Sequence, residues 1–365
     1  MTPENGNDER RLSSLADRNI FRLEDVMAVQ TVQDAFKEFE KQSVRVPAWQ
    51  NDRAKEVHPE IRAAVEADLG DLFIRAYLAG SYARRVQTAP KLKDIDIIVV
   101  MADPDGVFAA SADAALERLR KAAKDCDLVD GTRKGIRAVK LDIDGEEFTV
   151  DLVGALNDVF GEVKLARRLP EENLDDWTSA RPKAQLDAAS KKNSDTNGIY
   201  VPAVRIVKYW NQYAGVGGKN VVPSYLAESI LYHAIPGEAD YADVVLAFFR
   251  DAKTHLSISG PTVTCPGDST NYVDERLDEK RREEALKKVE RALGHAEDAV
   301  AESDPGKAMD LWVKVFGPAF PAPTGDTSSL ATALTSGSAV AKGTGISTSS
   351  DGGRQVIPTR PYRAQ

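Results

Sequence analysis

The stretch AGSYARRVQTAPKLKDIDIIVVM, residues 79–101, sets the reading of this chain. Its second half, DIDIIVVM at 94–101, is rich in β-branched residues and suits a strand. Alternation along that strand sends Asp94 and Asp96 to one face and Ile95, Ile97 and Val99 to the other, where they can pack. Two like charges held in one small volume are costly unless cations neutralise them, so the pair calls for metal. Magnesium is the expected ion, with manganese as an alternative.

Working outward, LFIRAYLAG at 72–80 alternates Phe73, Arg75 and Tyr77 against Ile74, Ala76 and Leu78, which predicts a strand ending at Gly80. A turn through Gly80-Ser81 follows. Glycine lets backbone N–H groups come close to phosphate, and Ser81 at a helix start adds a hydroxyl donor. Downstream, IRAVKLDID and EEFTVDLVGAL flank Gly145, and the Asp144-Gly145 pair signals a hairpin. The second of these strands carries Asp151. If it lies beside the first, three carboxylates converge into the set that two-metal phosphoryl transfer uses.

The rest of the chain supplies context. Val29, Val32, Phe36 and Phe39 recur at helical spacing before Pro47, a second helix covers Ile61 to Leu69 before Gly70, and a third runs from Ala109. From about residue 160 the pattern reads as helical, through YVPAVRIVKYWNQYAG, PSYLAESILYHAI, DVVLAFFRDAKTHL and a highly charged segment after Asp274. That charged helix is expected to be a solvated face laced with i, i+4 ion pairs. Trp312, Val315 and Phe316 serve as the last apolar anchors.

In VRIVKYWNQY, Ile206, Trp210 and Tyr213 form an apolar stripe, while Arg205, Lys208 and Gln212 fall on another, so Lys208 can face a cleft and hold a triphosphate. Pro223 suits the first turn of a helix, which places Ser224 and Tyr225 near an N-terminus that favours anions, with Tyr225 free to stack on a base.

The predicted architecture is α+β and bilobed, a mixed β-sheet catalytic lobe followed by a helical lobe. The expected boundaries are an N-terminal arm at 1–24, a catalytic core at 25–165, a helical lobe at 166–321 and a disordered, Ser/Thr/Gly/Ala/Pro-rich tail at 322–365.

Composition narrows the function. A chain of 365 residues with 42% hydrophobic content can bury a large core; it has no apolar run long enough to cross a bilayer, and MTPENGNDERRLSS lacks the apolar centre expected of a signal peptide. A cytoplasmic protein is the expectation. Two cysteines and four scattered histidines offer no zinc spacing. The net charge of −9 points away from long nucleic acid and leaves small charged substrates.

The combination of Gly80-Ser81, Asp94-Ile95-Asp96 and Asp151 resembles the DNA polymerase beta type nucleotidyltransferase superfamily. Within it, VRIVKYWNQ, PSYLAESILYHA, PGDSTNYVDERL and AMDLWVKVFGPAFP resemble the bacterial CD-NTases, the cGAS/DncV-like enzymes of CBASS antiphage defence, over roughly residues 25 to 321. The resemblance implies a two-metal enzyme that joins ATP, and GTP or other nucleoside triphosphates, into a cyclic di- or trinucleotide messenger for a downstream effector. It implies that Asp94 and Asp96 hold both ions and that Asp151 completes the one that activates the attacking hydroxyl. Lys208 and Ser224 would contact triphosphate, and Tyr225 would stack on a base.

Relatives also imply a HORMA-type regulatory partner or conjugation through a flexible tail. The tail here ends RPYRAQ, and Gln365 is not the small residue such conjugation uses. A linear oligoadenylate synthetase, a template-independent RNA nucleotidyltransferase and an inactive scaffold are the alternative readings.

Overall fold

The computed structural model describes residues 31–159, 162–169, 174–237 and 239–322, together with 339–342 and 345–348. Thr31–Ala322 forms one compact unit. The remainder of the chain contributes two described strands, Ala339–Lys342 and Gly345–Thr348, paired antiparallel. The expected arm at 1–24, Val29, the rest of the expected tail and Gln365 lie outside the described residues.

The compact unit is built on a mixed sheet. Its strands are β1 (Phe73–Ala79), β2 (Asp94–Met101), β3 (Val129–Lys134), β4 (Val139–Ile143), β5 (Thr149–Val159), β6 (Glu162–Leu169) and β7 (Leu174–Ala180). The order is β1-β2-β5-β4-β3, with β6 bridging β5 to β7. Only the central pair, β2 and β5, is parallel. The hairpin predicted at Asp144-Gly145 joins β4 to β5, with Gly145 at a φ of 70°.

One face of the sheet carries the main core. Ile95, Ile97 and Val99 of β2 and Val150 and Leu152 of β5 are buried there with Val57, Ile61 and Val65 of α2 (Ala48–Leu69) and Leu116 and Leu119 of α5 (Ala112–Lys124). The other face holds a smaller cluster, Ile98, Val100, Ala155 and Val163. Asp94 and Asp96 share that second face by alternation.

Several local readings change. A register shift between Phe73 and Arg75 makes Ile74 the extra residue of a bulge, so Phe73 packs with Ala76 and Leu78 against the main core and Ile74 is 54% exposed. The expected helix at Ile61–Leu69 begins earlier, at Ala48, because Ala54 and Val57 extend the buried stripe through Pro59. The helix expected from Ala109 is split into α4 (Val107–Ala110) and α5 by Ser111, whose hydroxyl caps α5 by accepting from the Ala114 N–H at 3.1 Å. The segment after residue 160 is not helical at first. β6 and β7 continue the sheet to Ala180, because alternation in short strands of mixed polarity is easily mistaken for loop or helix.

Helices then take over: α6 (Pro182–Asp195), α7 (Tyr200–Tyr213), α8 (Ser224–Ala234), α9 (Tyr241–Leu256), α10 (Glu279–Ala301) and α11 (Pro305–Phe316). The first of the described helices, α1 (Val32–Phe39), packs with this group. Phe36 meets Trp312 and Phe320 at 5.0 Å and Phe316 at 5.8 Å, each edge to face. Such wholly buried rings each contribute about 1.5–3 kcal/mol of apolar transfer.

The charged helix α10 buries Ala285, Val289, Ala292 and Ala296. Two of its ion pairs cross to α9, Arg250 to Glu297 at 3.3 Å and Lys253 to Glu290 at 3.6 Å, because α9 lies alongside its polar flank; Arg282 reaches Asp274 at 3.8 Å and, along the helix at i, i+3, Glu279 at 3.9 Å. Among the described residues, no helix is long and apolar enough to cross a membrane.

Candidate active site

The site is organised by strand register. In the parallel pair, Asp96 lies abreast of Asp151, and Asp94 abreast of Thr149. On the other side of β2, Ala79 lies opposite Asp96, so the chain leaves β1 directly beside the aspartates and turns at Gly80 into the short helix α3 (Gly80–Ala83).

Gly80 is required twice. Its φ of 65° is in the left-handed region, and an added Cβ would overlap Asp96 Oδ2 and stand 2.6 Å from Asp96 Cγ. The missing side chain therefore makes room for the carboxylate, as well as for the phosphate approach expected from sequence.

Asp96 is pushed up to about 6, first by burial and then by the neighbouring charges of Asp94 and Asp151, with Arg84 and Lys140 partly offsetting them. Three hard oxygen donors, two on one strand face and the third in register beside them, suit a divalent cation, and like-charge crowding at Asp96 is what a bound cation relieves. The cage is not preformed: among the described residues no group of three His, Cys, Asp or Glu side chains already stands as a metal site. Asp151 is engaged elsewhere. Lys140, its neighbour on β4, donates to both Asp151 oxygens at 2.7 and 3.0 Å and to Thr149 Oγ1 at 3.1 Å.

Asp94 and Asp96 open into a cleft of about 340 Å³ that Gly80, Ser81, Lys208, Ser224 and Tyr225 also line. Asp151 instead lines a neighbouring groove of about 720 Å³. The residues expected to hold nucleotide thus share one cavity with two of the three acids.

Helix α7 builds the wall of the cleft. Arg205, Lys208 and Gln212, spaced i, i+3 and i+7, reach the extended segment after α3 in step: Arg205 donates to Arg85 O at 2.6 and 2.9 Å, Lys208 to Val86 O at 2.8 Å, and Gln212 to Thr88 Oγ1 at 3.1 Å. This is the polar stripe read from sequence, and its targets, which include the Glu40 carboxylate at 2.6 Å from Arg205, are groups no periodicity reveals. Burial lowers the Lys208 ammonium to about 8, partly countered by Glu228. Tyr213, assigned to the apolar stripe, is 50% exposed. It stacks on Tyr209 and fills the space over Gly317, because a helix has few fully buried positions per turn and Ile206 and Trp210 take them.

Across the cleft, Pro223 is the N-cap of α8 rather than its first helical residue, and Ser224 opens the helix. The Tyr225 ring lies 4.9 Å from the Arg84 guanidinium, and its hydroxyl is 3.3 Å from Cys265 Sγ.

Arg84 and Glu228 are the residues that sequence reasoning missed. Arg84 donates to the two Glu228 oxygens at 2.6 and 3.2 Å, in a pair almost wholly removed from water, which ties α3 to α8. Burial works against the Arg84 charge, and the Glu228 carboxylate more than offsets it. A signal existed, since Glu228 sits one helical turn after Ser224 on the same face and Arg84 one turn after Gly80.

Comparison with known proteins agrees with this geometry. Residues 30–193 match the Second Messenger Oligonucleotide or Dinucleotide Synthetase domain. A cyclic AMP-AMP-AMP synthase from Acinetobacter sp. is 24% identical over 280 residues, covering 72% of this chain and 78% of the relative. CdnC of E. coli MS115-1, solved with ATP, superposes with a TM-score of 0.64 at 18% identity, covering 79% of this chain and 98% of CdnC. The same CdnC in complex with HORMA-deltaN gives 0.63 at 18% identity, covering 82% and 99%. In its α+β fold the chain is thus similar to CdnC, and in sequence to the Acinetobacter cyclic AMP-AMP-AMP synthase, with the synthetase-domain match spanning residues 30–193.

Proposed function

We propose that this chain condenses ATP, alone or with GTP or another nucleoside triphosphate, into a cyclic di- or trinucleotide, releasing pyrophosphate at each bond. The observation that carries the reading is the placing of Asp96 abreast of Asp151 at the end of a cleft shared with Gly80, Ser81, Lys208 and Ser224. Asp94, Asp96 and Asp151 would hold divalent cations, two magnesium ions in this reading. These would lower the pKa of the attacking hydroxyl and stabilise charge on the phosphates.

The chain's own groups do the rest. Lys208 and the N-terminus of α8 at Ser224 orient the donor triphosphate. Tyr225, its ring braced by Arg84, offers a stacking face for a base. The ribose hydroxyl oxygen bonds to the donor α-phosphorus, the bond from that phosphorus to its bridging oxygen breaks, pyrophosphate leaves, and the hydroxyl proton is lost. Product feeding a CBASS effector in the cytoplasm, and regulation by a HORMA-type protein, extend the same reading; the complex of CdnC with HORMA-deltaN supports the second.

Mass spectrometry of products from labelled ATP and GTP with magnesium tests the proposal. The expected product resists phosphatase, and Asp96→Asn lowers its formation by roughly a thousandfold or more. Linear, phosphatase-sensitive chains would replace the reading with an oligoadenylate synthetase.

A further inference from the structure

Asn220 stands on the wall of the cleft with its side chain uncommitted. It lies between the end of α7 and the start of α8, is half-buried, and lines the cavity together with Ser224 and Tyr225. Its amide makes no hydrogen bond to any described residue. The glutamines of the same cavity are engaged: Gln87 donates to Asn51 Oδ1 at 2.9 Å and Gln212 to Thr88 Oγ1 at 3.1 Å.

The backbone that carries the Asn220 amide is fixed on both sides. Upstream, the Lys219 N–H donates to Val216 O at 3.1 Å, in a turn so close that a Cβ on Gly215 would overlap Lys219 O. Downstream, the Val221 N–H donates to Asn211 O at 2.9 Å. The wholly buried Asn211 side chain accepts from the Val222 N–H and donates to Val222 O, each at 2.9 Å. Asn220 O itself accepts from Arg281 of α10 at 3.5 Å. A free amide on a pinned backbone is pre-organised, so little ordering entropy is lost when a ligand meets it.

An amide presents a donor and an acceptor side by side in one plane. Its complement is an edge that also sets a donor beside an acceptor. Phosphate offers acceptors only, and Lys208 and the start of α8 already face it in the proposed function. Adenine offers the matching pair on either edge, since its 6-amino group stands between two ring nitrogens, and asparagine pairs with it through two bonds. Guanine matches on one edge alone. Its other edge sets two acceptors together and would leave the amide oxygen without a partner.

We infer that Asn220 reads the base of the nucleotide held in the cleft and sets a preference for adenine, with Tyr225 as the stacking face. The inference rests on the nucleotide-condensing reading above. Asn220 is a specificity residue here and takes no part in the chemical step.

The test is titration calorimetry of the full chain with magnesium and the α,β-methylene triphosphates of adenosine, guanosine and purine riboside, the last of which lacks the 6-amino group. The unsubstituted protein should bind the adenosine form roughly 10- to 100-fold more tightly than the other two. Asn220→Ala should remove most of that ratio by weakening the adenosine form, leaving the purine riboside form unchanged. Asn220→Asp keeps an acceptor for the 6-amino group and loses the donor. It should therefore still favour adenosine over purine riboside, and become indifferent to replacement of the neighbouring ring nitrogen by carbon.

Ratios within one variant cancel any general loss of folded protein, so a variant that folds poorly still reports. A purely structural role would weaken all three analogues by the same factor, which overturns the inference, as do equal affinities in the unsubstituted protein or a preference that survives Asn220→Ala. Adenine-selective binding by a chain that makes no cyclic product would leave Asn220 as the base reader and remove the cyclase reading. Cyclic product with a base preference unmoved by Asn220→Ala would do the reverse.

Discussion

The cleft and the groove meet at one strand and are built on opposite electrostatic logic. In the cleft, Arg84 is answered by Glu228 and Lys208 by Val86 O, while Asp94 and Asp151 crowd Asp96. In the groove, Arg133, Lys134 and Lys140 are matched, to Asp142, Asp113 and Asp151, while Arg137 and Arg276 show no carboxylate partner among the described residues. Interlocked partners of this kind suit the metal and phosphate that the proposed function places in the cleft. Asp151 belongs to both, by register to the cleft and by side chain to the groove.

The sharpest break in that comparison is at Gly80. Gly80→Ala drives a Cβ into the Asp96 carboxylate at a positive φ, so activity should fall roughly a hundredfold or more in initial-rate assays. Activity within about threefold of the unsubstituted protein would mean that Asp96 can move aside without loss.

Next comes the buried pair. Glu228→Gln strands the Arg84 guanidinium away from water and should cost about 3 kcal/mol in denaturant unfolding, with the double variant Arg84→Met, Glu228→Leu recovering much of it. A change within about 0.5 kcal/mol would show that Arg84 finds water or another acceptor.

The cleft should also carry a pH signature. Lys208 is lowered to about 8, so its positive charge is present below that pH and lost as pH rises through it; kcat/KM for ATP should decline above about pH 8. For stability the sign is opposite. The unfolded chain binds the Lys208 proton more tightly, so this group's contribution grows as pH rises from about 8 toward 10.5. Lys208→Arg should remove the alkaline decline; its persistence would assign the limb to another group.

The smallest effect concerns the residue both regions share. Lys140→Met removes the ammonium that competes with a cation for Asp151, and manganese affinity, read by electron paramagnetic resonance, should rise about two- to fivefold. Weaker manganese binding would instead make Lys140 the residue that holds Asp151 in place for metal.

How much of this was legible in advance differs element by element. Asp94-Ile95-Asp96 could be placed on one strand face because a strand's period of two is local, and Ile95 and Ile97 are wholly buried behind it. The polar stripe Arg205, Lys208 and Gln212 was readable for the same reason at a period of 3.6. Ile74 and Phe73 were misplaced because a bulge is set by the partner strand, not by the strand's own residues. β6 and β7 were missed because their pairing partners, not their composition, make them strands.

By itself, then, the sequence determined the metal-suited acids, the Gly-Ser turn and the α+β class, since each depends on residue type and short-range period. Only the tertiary structure decided that Asp151 turns to Lys140, that Arg84 answers Glu228 across 144 residues, and that Arg137 and Arg276 share a groove. Those are contacts between side chains far apart in sequence, and their geometry is set by packing, which no local pattern encodes.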